Sequence, residues 1–245
     1  MRGWWSWALI VALPLLPVGA TPPDHLVWAQ RLVADLRAEE NSYGVRPTVV
    51  QWRGVDGALR SHNHSVCSTF ISALFQRAYG YGPSERRRWL GQRSPRAVDY
   101  YQAIAAGQRF RLVRTLGELA PGDLLASRQL NPTATSTGHL MLAAGRPEPV
   151  APCVAGRCAY RLVVIDSSRS GHGPRDTRQG RGGVGRGTIQ LQADRQGRVQ
   201  AYRWSEQPGS RWRGALQEPL LIGRFCGQSC GSEKRSDHQS GEQQR

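Results

Sequence analysis

The amino-acid sequence predicts an α+β fold in which helices come first and antiparallel strands follow. In three stretches before residue 107, apolar residues recur every three or four positions, which is the spacing of a helix that buries one face. From residue 110 onward, the apolar residues instead form short runs of strand length, separated by turn-forming residues. Helices followed by a run of antiparallel strands are the layout of an α+β protein.

Three stretches have helical periodicity. They are residues 23–40, 65–80 and 97–106. Asp24 and Ser65 are placed to cap the first two helices, and Gly80 can end the second helix in a left-handed turn. Gly107 closes the third helix. We therefore expect these three helices, with a short strand at residues 48–52 between the first and the second.

The remaining apolar runs predict strands. They are residues 110–113, 119–126 after an initial turn, 138–145, 160–166, 188–192, 199–204 and 220–225. Residues 194–197 form a turn that joins two of these runs into a hairpin. The loop at residues 169–187 is rich in arginine and glycine, and no strand is predicted there.

The two ends of the chain differ in composition from the rest. Residues 1–20 have one positive charge, a short apolar run and small residues before Ala20, which is typical of a secretory signal cut after that residue. Residues 21–230 are long enough for a single domain, and residues 231–245 form a polar tail without apolar periodicity. We expect a bacterial protein exported to the periplasm or secreted, with no transmembrane span after signal cleavage.

The five cysteines divide unevenly. Cys153 and Cys158 bracket a four-residue turn, and Cys226 and Cys230 are equally close. Two local disulfides are the simplest pairing in an oxidising compartment, although four cysteines allow three connectivities. Either way, Cys67 is left without a partner.

The net charge of +15 comes almost entirely from arginine, since Lys234 is the only lysine. Such a surface suits contact with anionic envelope polymers. The arginines are scattered rather than interleaved with aromatic residues, which argues against a specific nucleic-acid groove and favours an ordinary solvated surface. The sequence indicates no oligomeric state.

Cys67 is the first candidate for chemistry. It falls in the first turn of the predicted helix at residues 65–80, where free backbone N–H groups and the helix dipole favour a thiolate. A thiolate is the nucleophile of a cysteine hydrolase. The alternative is a buried free cysteine that only packs at the start of a helix. Tyr43 and Trp52 precede it and are candidates for the wall of a substrate cleft, although Trp52 suits the core equally well.

A nucleophilic cysteine needs a base and a group that orients the base. His139 begins an apolar strand, where a polar side chain needs a reason to be present. Asp166 ends the following strand, so a hairpin between the two strands would bring it close to His139. His172 competes with Asp166 for the orienting role. The alternative for His139 is a partly exposed histidine at the end of a strand, and the alternative for Asp166 is an aspartate that forms the turn after a strand.

Three segments resemble the NlpC/P60 superfamily of papain-like cysteine peptidases and amidases. They are residues 66–70, with the cysteine at a helix start; residues 119–125, a Pro-Gly-Asp-Leu turn into a strand; and residues 138–142, with Gly-His opening the next strand. The resemblance implies a helix layer packed on an antiparallel sheet, with Cys67 as nucleophile, His139 as base and Asp166 as orienting residue. The chain departs from the family pattern at two places: the first, at the nucleophile, leaves the substrate open, and the second, at the orienting residue, is chemically mild because a carboxylate orients an imidazole well. The family usually has Asp-Cys-Ser-Gly at the nucleophile, and His, Asn or Gln in the third role.

Two other motifs have weaker support. Residues 180–185 match the spelling of a dinucleotide-binding fingerprint, but no strand precedes them and no helix follows. His62 and His64 have the spacing of two metal ligands on one strand face, but we interpret them as loop histidines. We expect neither a cofactor nor a metal.

The sequence therefore favours an exported cysteine hydrolase that cleaves an amide in a cell-envelope peptide or a peptidoglycan stem. One alternative is an inactive relative that binds anionic envelope polymers through its basic surface. Another is a lipid or acyl ester hydrolase, or an acyltransferase, built on the same scaffold.

Overall fold

The computed structural model describes residues 22–131 and 133–231, and it confirms the α+β class. Within these residues, four α-helices form: α1 (Asp24–Asp35), α2 (Cys67–Tyr79), α3 (Pro83–Leu90) and α4 (Ala97–Ala105). Short 3-10 helices span Ala38–Glu40 and Gly227–Gly231. None of the described helices is long and apolar enough to cross a membrane.

The strands form a small sheet and a large one. The small sheet consists of β1 (Asn41–Tyr43), β2 (Val49–Gln51) and β3 (His62–Ser65). The large sheet consists of β4 (Phe110–Leu112), β5 (Leu124–Ser127), β6 (Leu140–Ala143), β7 (Glu148–Pro149), β8 (Cys158–Ser168), β9 (Gly183–Ala193), β10 (Val199–Arg203), β11 (Trp212–Gly214) and β12 (Leu220–Phe225). Every strand predicted from residue 110 onward is present, as is the strand predicted at residues 48–52.

The large sheet is antiparallel, with the strand order β11-β10-β9-β8-β6-β5-β12-β4 and β7 paired with β8. In the small sheet, β3 is central, parallel to β1 and antiparallel to β2. The predicted hairpin relation between the histidine strand and the aspartate strand is correct, since Leu142 of β6 pairs with Ile165 of β8.

Apolar side chains bury both faces of the large sheet. On one face, Leu124 and Leu140 join a core that also contains Phe70 and Leu74 of α2. On the other face, Leu125 belongs to a second core, which is built largely from the sheet itself. Because both faces are covered, β5 and β6 have continuous apolar runs instead of alternation. This packing holds the start of α2 against β6 and β8.

The predicted helix boundaries need correction at their starts and at one end. The first helix ends at Asp35 rather than at residue 40, because Leu36 adopts an extended conformation. Neither Asp24 nor Ser65 is a cap: Asp24 is already inside its helix, and Ser65 is the last residue of β3. Val66 occupies the cap position of α2, and the left-handed Gly80 ends that helix as predicted.

Five helices and strands of the fold were not predicted, and two of them are the short strands β7 and β11 of the large sheet. Strand β1, strand β3 and helix α3 have little apolar periodicity of their own. The interpretation of His62 and His64 as loop histidines is wrong, since both lie in β3. The predicted loop at residues 169–187 is shorter than expected because β9 begins at Gly183. That strand includes the end of the rejected dinucleotide motif.

The predicted local disulfides, Cys153–Cys158 and Cys226–Cys230, are both present, and Cys67 is free. The predicted signal at residues 1–20 lies outside the described residues. So does the predicted tail, apart from Gly231.

Candidate active site

Cys67 is the first residue of α2 and follows β3 directly. The Thr69 hydroxyl accepts a hydrogen bond from the Val66 backbone N–H at 3.0 Å, which secures the first turn. The Cys67 side chain is on the buried face of the helix, and the residue is only 7% exposed. Its sulfur therefore lies at the positive end of the helix dipole, toward the large sheet.

His139 immediately precedes β6. Its backbone N–H donates to Ser127 Oγ at 2.9 Å, and its carbonyl accepts from the Ser127 N–H at 2.8 Å. The preceding Gly138 has a φ of 134°, and a Cβ there would lie 2.0 Å from the Ser127 carbonyl oxygen. Only glycine permits this approach, so the Gly-His sequence fixes where the imidazole enters the site.

Asp166 is fully buried near the end of β8 and contacts both candidate partners. His139 Nε2 donates to its Oδ2 at 2.6 Å, and His172 Nε2 donates to its Oδ1 at 3.0 Å. The sequence presented Asp166 and His172 as alternatives. Of these two residues, Asp166 is the one that hydrogen-bonds to His139. His172 bonds to the other oxygen of the Asp166 carboxylate.

Arg178, which the sequence did not single out, forms buried ion pairs with Asp166 and Asp176. Arg178 Nη1 lies 2.9 Å from Asp166 Oδ1, and its Nη2 lies 2.6 Å from Asp176 Oδ2. All three side chains are fully or nearly fully buried. The Asp-x-Arg spacing at residues 176–178 was the available signal, but it lay within an apparently solvated, arginine-rich loop.

Trp204 covers both imidazoles. Its ring centroid lies 5.0 Å from that of His139 and 4.2 Å from that of His172. Its carbonyl accepts from His172 Nδ1 at 2.8 Å. Because both His172 nitrogens face acceptors, both bonds form together only in the imidazolium. His172 is thus held between the Trp204 carbonyl and the Asp166 carboxylate.

The charges of the site reinforce one another. Burial acts to raise the pKa of Asp166, but the charges of His172 and Arg178 and the hydrogen bond from His139 hold it well below its usual range. Burial alone would lower the pKa of His139. The negative charge of Cys67 and hydrogen bonds with Asp166 and Cys67 overcome that effect and raise it to about 10. Since Nε2 is engaged by Asp166, Nδ1 is the nitrogen available to the sulfur.

Tyr43 lies close enough to Cys67 and Asp166 for their charges to act on its phenol. Burial, followed by the negative charge of Cys67, raises the pKa of its phenol. A surface cleft of about 440 Å³ is lined by Tyr43 together with Arg169 and Arg181, among others. Trp52 instead belongs to the core, where its indole N–H donates to the Trp28 carbonyl at 2.9 Å. Of the two predicted wall residues, Tyr43 is the one beside the cysteine.

A seam of buried polar side chains joins β3 to the large sheet. Asn63 Nδ2 donates to Asn41 Oδ1 at 2.9 Å, and Asn41 Nδ2 donates to the Val184 carbonyl at 2.8 Å. At the end nearest Cys67, Ser167 Oγ donates to the Ser65 carbonyl at 2.8 Å. These bonds set the distance between the start of α2 and the end of β8.

The two histidines of β3 do not form a metal site with other side chains. His64 Nδ1 is hydrogen-bonded to Ser42 Oγ at 2.7 Å. No group of three or more potential metal-ligating side chains occurs in the part of the chain that the structure describes.

The fold and the site together define an α+β protein with a free cysteine at a helix start and a buried His-Asp pair beside it. The chain is similar to an uncharacterised protein of Acanthamoeba polyphaga mimivirus, R653. The two are 28% identical over 219 residues, which cover 83% of this chain and 96% of the viral protein. No protein-family model matches the sequence, and no solved structure matches the chain.

Proposed function

We propose that this protein is a papain-like cysteine hydrolase of the NlpC/P60 type that cleaves an amide bond. One observation carries the proposal: His139 interacts with both Asp166 and Cys67. It bonds to the buried Asp166 at 2.6 Å. Burial acts to lower the His139 pKa, but the negative charge of Cys67 and hydrogen bonds with Asp166 and Cys67 raise it to about 10. This is the order nucleophile, base and orienting residue that covalent acyl transfer requires. The helices packed on one face of an antiparallel sheet are consistent with such a scaffold.

In the proposed reaction, the Cys67 thiolate attacks the carbonyl carbon of the amide. The tetrahedral intermediate collapses when His139 gives its proton to the leaving nitrogen, so an amine departs and a thioester remains. His139 then takes a proton from water, and the resulting hydroxide attacks the thioester. Collapse of the second intermediate releases a carboxylic acid and restores the thiolate–imidazolium pair.

The start of α2 supplies stabilisation for the developing oxyanion. The backbone N–H of Cys67 belongs to the first turn and has no partner within the helix. A preorganised N–H of this kind stabilises negative charge best when water is excluded, and Cys67 is buried. Tyr43, beside the cysteine, is placed to line the path of the substrate.

We propose a cell-envelope peptide or peptidoglycan stem as the substrate, because the cleft at Tyr43 is basic. Arg169 lies over the Tyr43 ring, 5.8 Å from its centroid, and Arg181 lines the same cleft. Neither arginine forms an ion pair with a carboxylate among the described residues, so both are available to an acidic substrate group. The two disulfides are consistent with an exported protein, in the periplasm or outside the cell.

A substrate panel tests the proposal against its alternatives. Purified protein and Cys67→Ala would be incubated with muropeptides, acyl lipids and simple amides. Cleavage of an amide by the wild type, and its loss in Cys67→Ala, would support the proposal. Cleavage confined to esters would indicate the ester hydrolase or acyltransferase. Equal polymer binding by both proteins without turnover of any substrate would indicate the inactive binding module.

A further inference from the structure

A second cavity lies on the face of α2 that points away from Cys67. Its volume is about 500 Å³. The α2 residues that line it are Thr69, Ser72, Ala73, Gln76 and Arg77. Since each helical residue advances about 100°, these positions are centred roughly 210° around the helix from Cys67. The cavity is therefore separate from the proposed catalytic cleft.

Arg86 of α3 lines this cavity although the residue is only 8% exposed. Its hydrogen bonds go to neutral acceptors alone. Nε donates to the Arg93 carbonyl at 3.1 Å, while Nη1 donates to the Tyr81 carbonyl at 2.9 Å and to Gln76 Oε1 at 3.2 Å. No carboxylate among residues 22–131 and 133–231 forms an ion pair with it. Arg86 is thus a buried positive charge without a counter-ion.

One donor atom of Arg86 is free to meet a ligand. Nη2 makes no hydrogen bond to the described residues, and it is not among the buried atoms that lack both a partner and solvent contact. Burial lowers the pKa of Arg86, as expected for a charge held without an opposing one. Buried charges are normally paired, because an isolated one has a large desolvation cost.

The rest of the lining suits an organic anion better than a bare ion. Val50 and Val55 provide apolar wall, and Thr48, Gln51 and Ser94 provide polar groups. The charged members are Arg77, Arg86 and Asp56. Asp56 lies 3.6 Å from Arg77 and is 88% exposed, so it does not neutralise the cavity floor.

We propose that this cavity is a binding site for a small organic anion, whose carboxylate or phosphate group binds Arg86. A guanidinium presents parallel N–H groups that match such oxyanions. The ligand's apolar part would lie against the valine side of the cavity. This site is distinct from the catalytic cleft, and the proposal does not depend on hydrolysis.

Calorimetry with matched probes tests the proposal. The protein would be used as Cys67→Ala, so that binding is measured without turnover. Benzoate and inorganic phosphate represent the two oxyanions, and benzamide is the neutral counterpart of benzoate. Binding of either anion supports the proposal. If benzoate binds, benzamide should bind at least about tenfold more weakly. The proposal is overturned if neither anion binds, or if benzoate and benzamide bind equally.

Variants in the same background locate the site. Ala73→Glu introduces a competing carboxylate into the cavity and should weaken anion binding at least about tenfold, whereas Ala73→Gln should bind as before. Arg86→Gln should abolish binding, and the exposed neighbour Arg87→Gln should not. The Ala73 pair gives a result even if Arg86→Gln fails to fold. Anion binding that is the same in Ala73→Glu and Ala73→Gln would contradict the assignment.

Discussion

Ser167 Oγ donates a hydrogen bond to the Ser65 carbonyl oxygen at 2.8 Å, across 102 residues of sequence. Ser65 ends β3, two residues before Cys67, and Ser167 follows Asp166 in β8. Both serines are fully buried. The Ser65 hydroxyl in turn donates to Ser167 Oγ at 3.3 Å, so the two serines connect the strand that precedes Cys67 with the strand that contains Asp166.

Removing this contact should affect both stability and reactivity. For Ser167→Ala, we predict that the free energy of unfolding falls by about 1–3 kcal/mol, because the Ser65 carbonyl loses its partner inside the protein. The rate of Cys67 alkylation should fall as well, since the cysteine is less well positioned. Urea unfolding and timed iodoacetamide labelling measure the two effects. Ser84→Ala, at an exposed position of α3, is the control. An alkylation rate unchanged in Ser167→Ala would show that the contact only stabilises the fold.

Asp166→Asn should be more damaging. An amide cannot accept from both imidazoles and from Arg178, so positive charges remain buried without compensation. We predict a loss of about 3–5 kcal/mol in the free energy of unfolding. Turnover should fall by at least about 10²-fold, because the His139 imidazole loses its orienting acceptor.

Asp176→Asn is the matched control for that variant. Asp176 contacts Arg178 but not His139, so its replacement should reduce stability with a smaller loss of turnover. Chemical denaturation and steady-state kinetics on both variants provide the comparison. Equal losses of turnover in the two variants would contradict the orienting role of Asp166.

The protonation of His139 gives a prediction about pH. Its pKa is raised from 6.5 to about 10, so the stability gained from the charged imidazole is fully present below about pH 6.5 and is lost as the pH rises through about 10. In Cys67→Ala, the negative charge and the hydrogen bond of the sulfur are gone. The His139 pKa should therefore fall.

Imidazole ¹⁵N NMR across this pH range measures the titration directly in both proteins. His62, which lies in β3 outside the cluster, serves as an internal reference. A His139 resonance that titrates at the same pH in the wild type and in Cys67→Ala would refute the proposed coupling between imidazole and sulfur.

The basic cleft predicts a preference for acidic substrates. Arg181→Gln should raise KM for an amide substrate that carries a carboxylate by about two- to tenfold, with little effect on a neutral analogue, because the lost interaction is electrostatic. Steady-state kinetics on the two analogues provide the test. Arg195→Gln removes the same charge at an exposed turn and should leave both KM values unchanged. Equal changes for the two analogues in Arg181→Gln would exclude charge recognition at this cleft.

The sequence predicted those parts of the fold that bury apolar side chains. Helices α2 and α4 and all strands of the large sheet except β7 and β11 have apolar spacing that follows from their packing. The free Cys67 followed from the pairing of the other four cysteines. Strand β3 was missed because its buried residues, Asn63 and Ser65, are polar and are satisfied by partners far along the chain. Local periodicity contains no information about such partners.

The residues of the site also divide into those with a recognisable local sequence context and those whose position depends on distant partners. Cys67, His139 and Asp166 are each marked by a local context: a helix start, a glycine-preceded strand and a strand end. Arg178 is not, because its burial depends on Asp166 and Asp176, and sequence alone presents it as one arginine among many. One oxygen of the Asp166 carboxylate bonds to His139 and the other bonds to His172, so the two candidates for the orienting role are not interchangeable in the structure. Each occupies a different position in one chain of hydrogen bonds.

The most direct test of the central claim is the rate at which iodoacetamide alkylates Cys67 between pH 6 and 7, followed by mass spectrometry. Cys67 is the one cysteine outside a disulfide, so the modified residue is unambiguous. We predict rapid alkylation of the wild type and a rate at least about tenfold lower in His139→Ala, because the imidazolium no longer supports the thiolate. A Cys67 that is inert in this range, or that reacts equally fast without His139, would contradict the proposed catalytic pair.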